Sequence, residues 1–243
     1  MPHPLILVTG ANGGVAQHVL RHLLAHGHPN VVAHYRSGRD ALDTTLEAHG
    51  LDGSRAFQAD LSDEASVTAM RDAITSVHGP VHALVNVAGS SSNGMSWKLA
   101  HGDVVRVLHD NLLSTILCCK AFLPAMREAG AGRIVNFSSI VGATGVAGAS
   151  HYAAAKAGIV GYTKSVAQEV ANRGITVNAL ALGYFDTGLI NSVPPPLQDE
   201  IRGRIPLGRF GTQSDVGAAV AYLVSPGAGF LTGQVIHLNG GQY

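Results

Sequence analysis

Charge is scarce in this sequence. Charged residues make up 13% of the 243 residues, and 16 Lys and Arg residues balance 16 Asp and Glu residues, so the formal net charge is zero. Without a basic excess, nothing indicates a nucleic-acid groove or binding to an anionic membrane. Hydrophobic residues make up 46%, which indicates a well-buried α/β protein rather than a disordered chain.

Cysteine and long hydrophobic runs are also rare. The only cysteines, Cys118 and Cys119, are adjacent, so we expect buried small side chains in a reducing compartment rather than a disulfide. No apolar stretch approaches the length of a membrane span. The N-terminal stretch "MPHPLILVTG" lacks the basic region and long apolar core of a secretory signal. We therefore expect a soluble, cytoplasmic protein.

Short β-branched runs alternate with helical patterns along the chain. The predicted strands are Leu5–Thr9, Asn30–Tyr35, Ala56–Ala59, Ala83–Asn86, Arg133–Phe137, Thr176–Ala181 and Val235–Leu238. The predicted helices are Gly14–His26, Ala41–Ala48, Glu64–Val77, Asp103–Glu128, Tyr152–Asn172 and Asp215–Val224. N-caps are expected at Ser62, Ser150 and Ser214. This alternation predicts an α/β fold with a parallel sheet and helices on both faces.

One irregular stretch, Gly183–Leu207, interrupts the alternation just after a predicted strand. It contains three consecutive prolines in "VPPPL", Val193–Leu197, which stiffen it. Open α/β sheets place ligand-covering loops in this position, and loops of this length inside compact domains are usually functional. We expect this loop to set substrate specificity.

Histidine occurs 13 times. His18, His22 and His26 recur at four-residue steps on the first predicted helix, mostly away from its apolar face. No HExxH or CxxC motif accompanies them. A solvated helix face is therefore predicted there, and no metal site is expected.

The stretch "TGANGGVA", Thr9–Ala16, follows the first predicted strand and opens the first predicted helix. Glycine permits a tight turn there and lets the backbone approach a pyrophosphate, which the N-terminus of the helix can then bind. The spacing of the motif positions is Gly10, then Gly14, then Ala16, which is not that of GxGxxG. Because a strand precedes the turn and a helix follows it, the stretch predicts a dinucleotide-phosphate site.

A second candidate site lies in "SHYAAAKAG", Ser150–Gly158. Tyr152 and Lys156 are four residues apart in an alanine-rich run, so on a helix their side chains share one face. A nearby ammonium and the positive end of the helix both stabilise a phenolate, so a lowered Tyr152 pKa is expected. This pair predicts an acid–base group, although the spacing by itself also fits an ordinary surface pair.

Several motifs together resemble the short-chain dehydrogenase/reductase family, single-domain subclass, and within it most closely the 3-oxoacyl-(acyl-carrier-protein) reductases. "TGANGGVA" resembles TGxxxGxG with Ala16 as the last residue, and "NVAG", Asn86–Gly89, resembles NNAG. Further matches are "DNLLS" around Asn111, "GRIVNFSSIVG" with Ser139 thirteen residues before Tyr152, "GITVNALALG" with Leu182 in place of a proline, "GRFGTQSDVGAAVAYLVSP" and "LTGQVIHLNGG". The resemblance covers nearly the whole chain.

The resemblance implies a Rossmann-like, doubly wound sheet of seven parallel strands in a single NAD(P)-binding domain, residues 1–243. It also implies an oxidoreductase in which Tyr152 donates the proton and Ser139 binds the substrate oxygen. Lys156 is then expected to lower the Tyr152 pKa and to hold the nicotinamide ribose, and Asn111 to support a proton-relaying water. The implied cofactor contacts are Gly10, Asn12, Gly13, Gly14, Val15, Asp60, Leu61, Asn86, Ala88, Gly89, Tyr152, Lys156, Gly183, Phe185 and Thr187.

Two neighbouring residues compete for these roles. Ser138 adjoins Ser139, but successive strand residues point to opposite faces, so only one of the two is expected to face the site, and we assign Ser139. His151 adjoins Tyr152, and we interpret it as a pocket or surface residue rather than a general base.

The end of the second predicted strand indicates which dinucleotide is used. An acidic residue there would bind a ribose 2′-hydroxyl and repel a 2′-phosphate. In "AHYRSGR", Tyr35 stands at the position where an acid is expected, and Arg36, Ser37 and Arg39 follow. A guanidinium and a hydroxyl suit a phosphate, so NADP(H) is favoured over NAD(H), with Tyr35, Arg36 and Ser37 as contacts. The alternative is that the two arginines are surface charges on a turn.

The resemblance implies a 3-oxoacyl thioester substrate, carried by coenzyme A or acyl carrier protein. Arg173 matches one basic position that meets an acidic carrier, whereas Gly130 and Ala131 occupy the other, with Arg127 nearby. A cyclic ketone, a steroid or a polyol fits the same catalytic residues, as does oxidation of an alcohol. A non-catalytic dinucleotide sensor is a further alternative. A homotetramer is also implied.

Overall fold

A computed structural model describes residues 4–243; residues 1–3, which begin the N-terminal stretch considered above, lie outside the described part. The strands are β1 Ile6–Val8, β2 Val31–Tyr35, β3 Ala56–Gln58, β4 Ala83–Asn86, β5 Gly132–Ser139, β6 Ile175–Leu182 and β7 Val235–Leu238. They form one sheet in the order β3-β2-β1-β4-β5-β6-β7, with parallel neighbours throughout.

Helices fill the connections between strands. They are α1 Gly14–Ala25, α2 Asp40–Glu47, α3 Glu64–His78, α4 His101–Leu108, α5 Ser114–Ala129, α6 Val141–Thr144, α7 Ser150–Val170, α8 Pro195–Gly203 and α9 Gln213–Val224. A π-helical segment, His109–Leu113, joins α4 to α5. Within residues 4–243, none of these helices combines the length and hydropathy needed to cross a membrane.

The direction in which successive strands are added to the sheet reverses between β1 and β4. Val8 of β1 pairs with Ala33 of β2 on one side and with Val85 of β4 on the other. The chain thus runs outward to β3, returns, and runs outward again to β7. The Rossmann-like, doubly wound fold with seven parallel strands is confirmed, and this reversal places a ligand cleft at the carboxyl ends of β1 and β4.

The sheet is buried on both faces. Ile6 and Val8 belong to a core cluster with residues of α1 and α9, whereas Leu7 between them belongs to the cluster formed with α3, α5 and α7. Alternate strand residues point to opposite faces, so parallel strands covered on both sides are apolar throughout. Cys118 and Cys119 are fully buried, and burial raises the pKa of both thiols.

All seven strands were predicted to within two residues at each end, but the helices differ at three points. The long helix predicted over Asp103–Glu128 is interrupted by the π-helical segment. Two helices, α6 and α8, were not predicted. Because Pro195 occupies the start of α8, where its missing N–H costs no hydrogen bond, the proline run begins a helix instead of preventing one.

The three serine N-caps were wrong. The carboxylate of Asp63 caps α3, accepting from the N–H groups of Ala65 and Ser66. Thr212 and Asp215 form a capping box at α9. Ser150 is the first residue of α7 and follows Ala149, which caps the helix without a side-chain hydrogen bond. In two of the three cases a better acceptor close by took the role.

The expected solvated face of α1 was also wrong at one position. His22 is buried, and it stacks on His26 with ring centroids 3.9 Å apart. The reason is the close contact between α1 and α9, where Gly217 leaves room for the imidazole. Among the described side chains, no cluster of three or more His, Cys, Asp or Glu could hold a metal ion.

Gly217→Ala is expected to destabilise the protein. A Cβ at this position would lie 2.2 Å from the Cβ of His22, so the two helices must move apart. Overpacking of this kind typically costs about 1–3 kcal/mol, which thermal or urea unfolding measures. Gly102→Ala is the matched control, because a Cβ there meets nothing within 4 Å. A Gly217→Ala protein as stable as the control would contradict this account of the α1–α9 contact.

Candidate active site

A cavity of about 430 Å³ lies at the carboxyl ends of the central strands. Its wall comes from the turns that follow β1, β2 and β3, from the segments after β4 and β5, from α7, and from the loop after β6. These elements come from distant parts of the sequence. The parallel sheet brings them together, because the carboxyl ends of all its strands lie at the same edge.

The glycine turn forms the floor of this cavity. Gly10 has a positive φ of 67°, and a Cβ on it would lie 2.9 Å from Cα of Ala88. Glycine is therefore required both for the conformation and for the close approach. Within residues 4–243, no side chain caps the N-terminus of α1, which begins at Gly14. Gly13, Gly14 and Val15 line the cavity, so the positive end of the helix is available to an anion.

His34 fixes this turn and was not predicted as a site residue from the sequence. Its Nδ1 accepts from the N–H of Gly10 at 3.0 Å, and its Nε2 lies 3.0 Å from the carbonyl oxygen of Ala59. Burial lowers the His34 pKa to about 4, so the ring is neutral and the two contacts place its proton on Nε2. The one signal in the sequence is a polar residue in the otherwise apolar stretch "VVAHY".

The end of β2 contributes Arg36 and Ser37 to the cavity wall. Asn12 ties this end to the glycine turn by donating from Nδ2 to the carbonyl oxygen of Ser37 at 2.7 Å. Arg39 instead makes two hydrogen bonds to the carboxylate of Asp43. Its guanidinium also lies over the Tyr35 ring, 5.6 Å from the ring centroid. Of the two arginines, only Arg36 faces the cavity.

The catalytic candidates lie where β5 meets α7. The Ser139 hydroxyl accepts from the N–H of Val141 at 3.2 Å and donates to the carbonyl oxygen of Leu182 at 3.5 Å. It also lies beside the Tyr152 phenol, on whose pKa it acts as a hydrogen-bonding group. Ser138 donates from Oγ to the carbonyl oxygen of Lys156 at 2.8 Å, which positions the lysine-bearing helix. Nζ of Lys156 donates to the carbonyl oxygen of Phe137 at 2.9 Å and lies 5.6 Å from the centroid of the Tyr152 ring.

Burial shifts both titratable groups of this cluster toward their neutral forms. It raises the pKa of Tyr152 to about 12, against the opposing effect of the Ser139 hydrogen bond. It lowers the pKa of Lys156 to about 8. The expected lowering of the Tyr152 pKa is therefore not found, because removal from water outweighs the nearby cation. Tyr152 is fully protonated at neutral pH and Lys156 is mostly protonated.

Asn111 lies in the π-helical segment, fully buried. Its Nδ2 donates to the carbonyl oxygens of Ser90 at 2.7 Å and Val107 at 2.8 Å. Its Oδ1 is buried and accepts no hydrogen bond from any described residue. A Cβ on Gly89 would lie 2.4 Å from this oxygen and 3.6 Å from Nζ of Lys156. Asn111 and Lys156 thus approach the same glycine. The Oδ1 of Asn111 is a hydrogen-bond acceptor beside the cavity.

The cavity gathers most of the sequence-predicted site residues. Those in its wall are Gly10, Asn12, Gly13, Gly14, Val15, Arg36, Ser37, Asp60, Leu61, Ala88, Gly89, Ser139, Tyr152, Lys156, Gly183, Phe185 and Thr187. Three predicted residues do not line it: Tyr35, Asn86 and Asn111. Asn86 is buried below the wall, where its Nδ2 donates to Asn136 Oδ1 at 2.9 Å.

Two further residues had been considered near this cluster. Ser138 lies in the cavity wall beside Ser139, but its hydroxyl is committed to the backbone of α7. His151 is buried, with Nε2 2.7 Å from the hydroxyl of Ser92, and lies outside the wall. It is therefore neither a surface residue nor part of the cavity wall.

The loop after β6 closes one side of the cavity. It contains α8 and has its own small apolar cluster of Ile190, Ile205 and Phe210. A Cβ on Gly14 would lie 2.5 Å from Oγ1 of Thr187, so the loop packs directly on the glycine turn.

These features fit a dinucleotide. The glycine turn leaves a helix N-terminus open for a pyrophosphate, Arg36 and Ser37 lie at one end of the cavity, and Tyr152 and Lys156 lie at the other. Asp60 accepts from the N–H and hydroxyl of Ser62 and its pKa is lowered by these bonds. It therefore remains ionised beside the Gly-rich floor.

Known proteins resemble the chain over almost its full length. Residues 10–242 match a family model described as enoyl-(acyl carrier protein) reductase. A 3-oxoacyl-(acyl-carrier-protein) reductase FabG from Staphylococcus aureus is 37% identical over 240 residues, covering 98% of this chain and 97% of that protein. The reductases of the same name from Pseudomonas aeruginosa and Salmonella typhimurium are 37% and 34% identical, each over 98% of this chain and over 96% and 97% of their own lengths. The sheet, the cleft and these similarities together show that the chain belongs to the short-chain dehydrogenase/reductase family of nicotinamide-dinucleotide-dependent oxidoreductases.

Proposed function

We propose that this protein is an NADP(H)-dependent reductase that converts a 3-oxoacyl thioester to the 3-hydroxyacyl thioester. The observation that carries the proposal is the convergence of Ser139, Tyr152 and Lys156 at one end of a cavity whose other end holds a helix N-terminus and Arg36. A single dinucleotide-binding catalytic domain, residues 1–243, with a substrate loop at about 183–207, is part of the same proposal.

The chain's own residues handle the proton. A bound nicotinamide dinucleotide supplies the hydride. Tyr152 donates its phenolic proton to the substrate oxygen, and the Ser139 hydroxyl holds that oxygen in place. With its pKa of about 12, Tyr152 carries this proton at any physiological pH. Lys156, a cation at neutral pH, stabilises the phenolate that remains after donation.

Asn111 acts through a water in this proposal. Its unpartnered Oδ1 beside Gly89 is a buried acceptor that needs a hydrogen-bond donor. A water bound there can pass protons from solvent toward Lys156, whose lowered pKa suits proton exchange near neutral pH.

The preference for NADP(H) rests on the end of β2. Arg36 and Ser37 face the cavity, and Tyr35 stands where an acid would repel a 2′-phosphate. Arg39 does not contribute, because Asp43 occupies its guanidinium.

The substrate class rests on the similarity to reductases named for 3-oxoacyl-(acyl-carrier-protein). Arg127 and Arg173 precede β5 and β6, at the amino ends of these strands. The cavity lies at the carboxyl ends, about 23 Å away along an eight-residue strand. Neither arginine therefore lies at the mouth of the cavity in its own chain, and a carrier protein that reaches this cavity must contact other residues or a neighbouring subunit.

We also propose a cytoplasmic homotetramer. Ala154 and Ala157 present small exposed side chains on α7, and Phe230 near the C-terminus is fully exposed. Such surfaces suit close helix contacts and a second apolar interface. Sedimentation velocity at micromolar concentration is expected to show a tetramer, and a monomer would exclude this assembly.

The direct assay is the initial rate of NADPH oxidation with acetoacetyl-coenzyme A. Turnover is expected, with kcat/KM for NADPH about tenfold or more above that for NADH, because one charge-assisted contact is worth about 1.4 kcal/mol. Equal rates with both cofactors would refute the preference for NADP(H), whereas the reductase activity would still be established. If the protein binds dinucleotide but turns over no 3-oxoacyl thioester, the substrate assignment is refuted. Turnover of a cyclic, steroid or sugar alcohol would then identify the alternative dehydrogenase activity. If these alcohols are not turned over either, a non-catalytic dinucleotide sensor is favoured.

A further inference from the structure

An ion pair crosses the dinucleotide cleft. Nη1 of Arg36 donates to Oδ1 of Asp110 at 3.2 Å, although the two residues are 74 positions apart in sequence. Arg36 follows β2, and Asp110 belongs to the π-helical segment reached after β4. Because β2 and β4 flank β1, the pair spans the cavity above the glycine turn, and both residues line the cavity.

The carboxylate is the fixed partner of this pair. The Asp110 side chain is 11% exposed, whereas that of Arg36 is 61% exposed. Oδ2 of Asp110 accepts from the Ser90 hydroxyl at 2.6 Å. Ser90 is in turn 3.3 Å from Nη1 of Arg106, whose Nη2 is paired with Asp103. Asp110 is therefore held by its surroundings, and Arg36 is the member that can reorient.

The same guanidinium is the one proposed to meet a 2′-phosphate. A phosphate on Arg36 brings a second anion close to a carboxylate that is largely removed from water, and repulsion between charges is stronger there than in bulk water. A ribose 2′-hydroxyl brings no such anion. Asp110 thus weakens binding of NADP(H), which carries the 2′-phosphate, and leaves binding of NAD(H) unchanged.

We propose that Asp110 is a specificity-determining residue that competes with the cofactor 2′-phosphate for Arg36 and so reduces the preference for NADP(H) over NAD(H). The inference rests on the proposed role of Arg36 in cofactor choice and deepens it. The preference is set by the pair, since Arg36 attracts the phosphate and Asp110 limits how strongly it does so.

The test measures binding of fragments, so it does not depend on turnover. Isothermal titration calorimetry compares adenosine 2′,5′-bisphosphate with AMP on the wild-type protein, Asp110→Asn, Arg36→Gln and the double variant. Asp110→Asn keeps an acceptor for Arg36 and removes the charge. It is expected to tighten the bisphosphate by about three- to tenfold, and AMP by less than about twofold, with the difference shrinking as salt increases.

Two controls isolate the effect. Asp72→Asn removes the same charge from an exposed ion pair with Arg71 and is expected to change neither affinity. In the Arg36→Gln background, Asp110→Asn is expected to tighten the bisphosphate less than it does in the wild-type background, because the guanidinium for which Asp110 and the phosphate compete is gone. Melting temperatures of all variants confirm that they are folded.

The outcomes separate this inference from the proposed cofactor preference. If the wild-type protein prefers the bisphosphate but Asp110→Asn binds it no more tightly, or more weakly, the competition is refuted and the preference stands. If the wild-type protein shows no preference and Asp110→Asn creates one, the competition is supported and the wild-type preference for NADP(H) is refuted. If neither protein prefers the bisphosphate, both proposals fail.

Discussion

Tyr152→Phe is expected to lower kcat for ketone reduction by about 10²–10⁴-fold, the usual contribution of a positioned general acid. The variant keeps the ring but loses the phenolic hydroxyl, which is protonated at every working pH and lies beside Ser139. The Tyr152 phenol lies in the cavity wall, at the opposite end from Arg36. The affinity for the dinucleotide is therefore expected to change by less than about threefold. Initial rates and a binding titration on the same preparation measure the two effects.

Tyr162→Phe is the matched control. Tyr162 lies on the same helix, α7, but it packs against the core cluster formed with α3, α5 and α7 rather than lining the cavity. It is expected to retain the wild-type kcat. If Tyr152→Phe retained turnover, or if both variants lost it equally, Tyr152 would not be the proton donor.

The second large effect is expected at Lys156. Lys156→Met is expected to lower kcat by about 100-fold or more, because the cation that stabilises the developing phenolate is lost. Lys156→Arg retains a charge and is expected to keep more activity than the methionine variant. Lys164→Met is the control, since Lys164 is exposed on the same helix and is not part of the cavity wall.

The pH profile provides a second readout for Lys156. Its pKa is lowered to about 8, so the ammonium is present below that pH and is lost above it. The kcat/KM for reduction is therefore expected to be highest below pH 8 and to fall as the pH rises through this value. Tyr152, with a pKa of about 12, stays protonated over the same range. A flat profile up to pH 10 would show that Lys156 does not control the reaction, whereas loss of the fall in Lys156→Arg would support its role.

The sequence was sufficient to predict the sheet. Its strands are short, β-branched and separated by helical periods, and this local signal is what the parallel sheet requires because both of its faces are covered. The glycine turn was also predictable from local sequence, because its interpretation as a phosphate site depends only on the strand before it and the helix after it. The helix in the proline run was missed because proline prevents a helix internally but not at its first position.

Properties that depend on burial or on distant contacts could not be predicted. The spacing of Tyr152 and Lys156 shows that they share a helix face, but it does not show that burial shifts both pKa values. The π-helical segment has no simple sequence period, so the placement of Asn111 beside Gly89 could not be anticipated. His34 and Asp110 act through partners that the topology of the sheet brings to them from other elements.

The topology also explains why these residues meet. The turn after β1 leaves the N-terminus of α1 open toward the cleft, the turn after β2 presents Arg36, and the segment after β4 presents Asp110 and Asn111. The end of β5 and the start of α7 supply Ser139, Tyr152 and Lys156. Each element reaches the same edge because its strand runs parallel to its neighbours, so one cleft can hold a dinucleotide along its length with the proton donor at one end.

We propose that this cleft reduces a 3-oxoacyl carbonyl with hydride from NADPH while Tyr152 supplies the proton. Mass spectrometry tests this on the product formed from acetoacetyl-coenzyme A and NADPH that is deuterated at both C4 positions, in ordinary water. The expected product is 3-hydroxybutyryl-coenzyme A with one deuterium on C3, formed by the wild-type protein and not by Tyr152→Phe. Unlabelled product, labelled product from Tyr152→Phe at the wild-type rate, or no product from a protein that binds NADPH would contradict it.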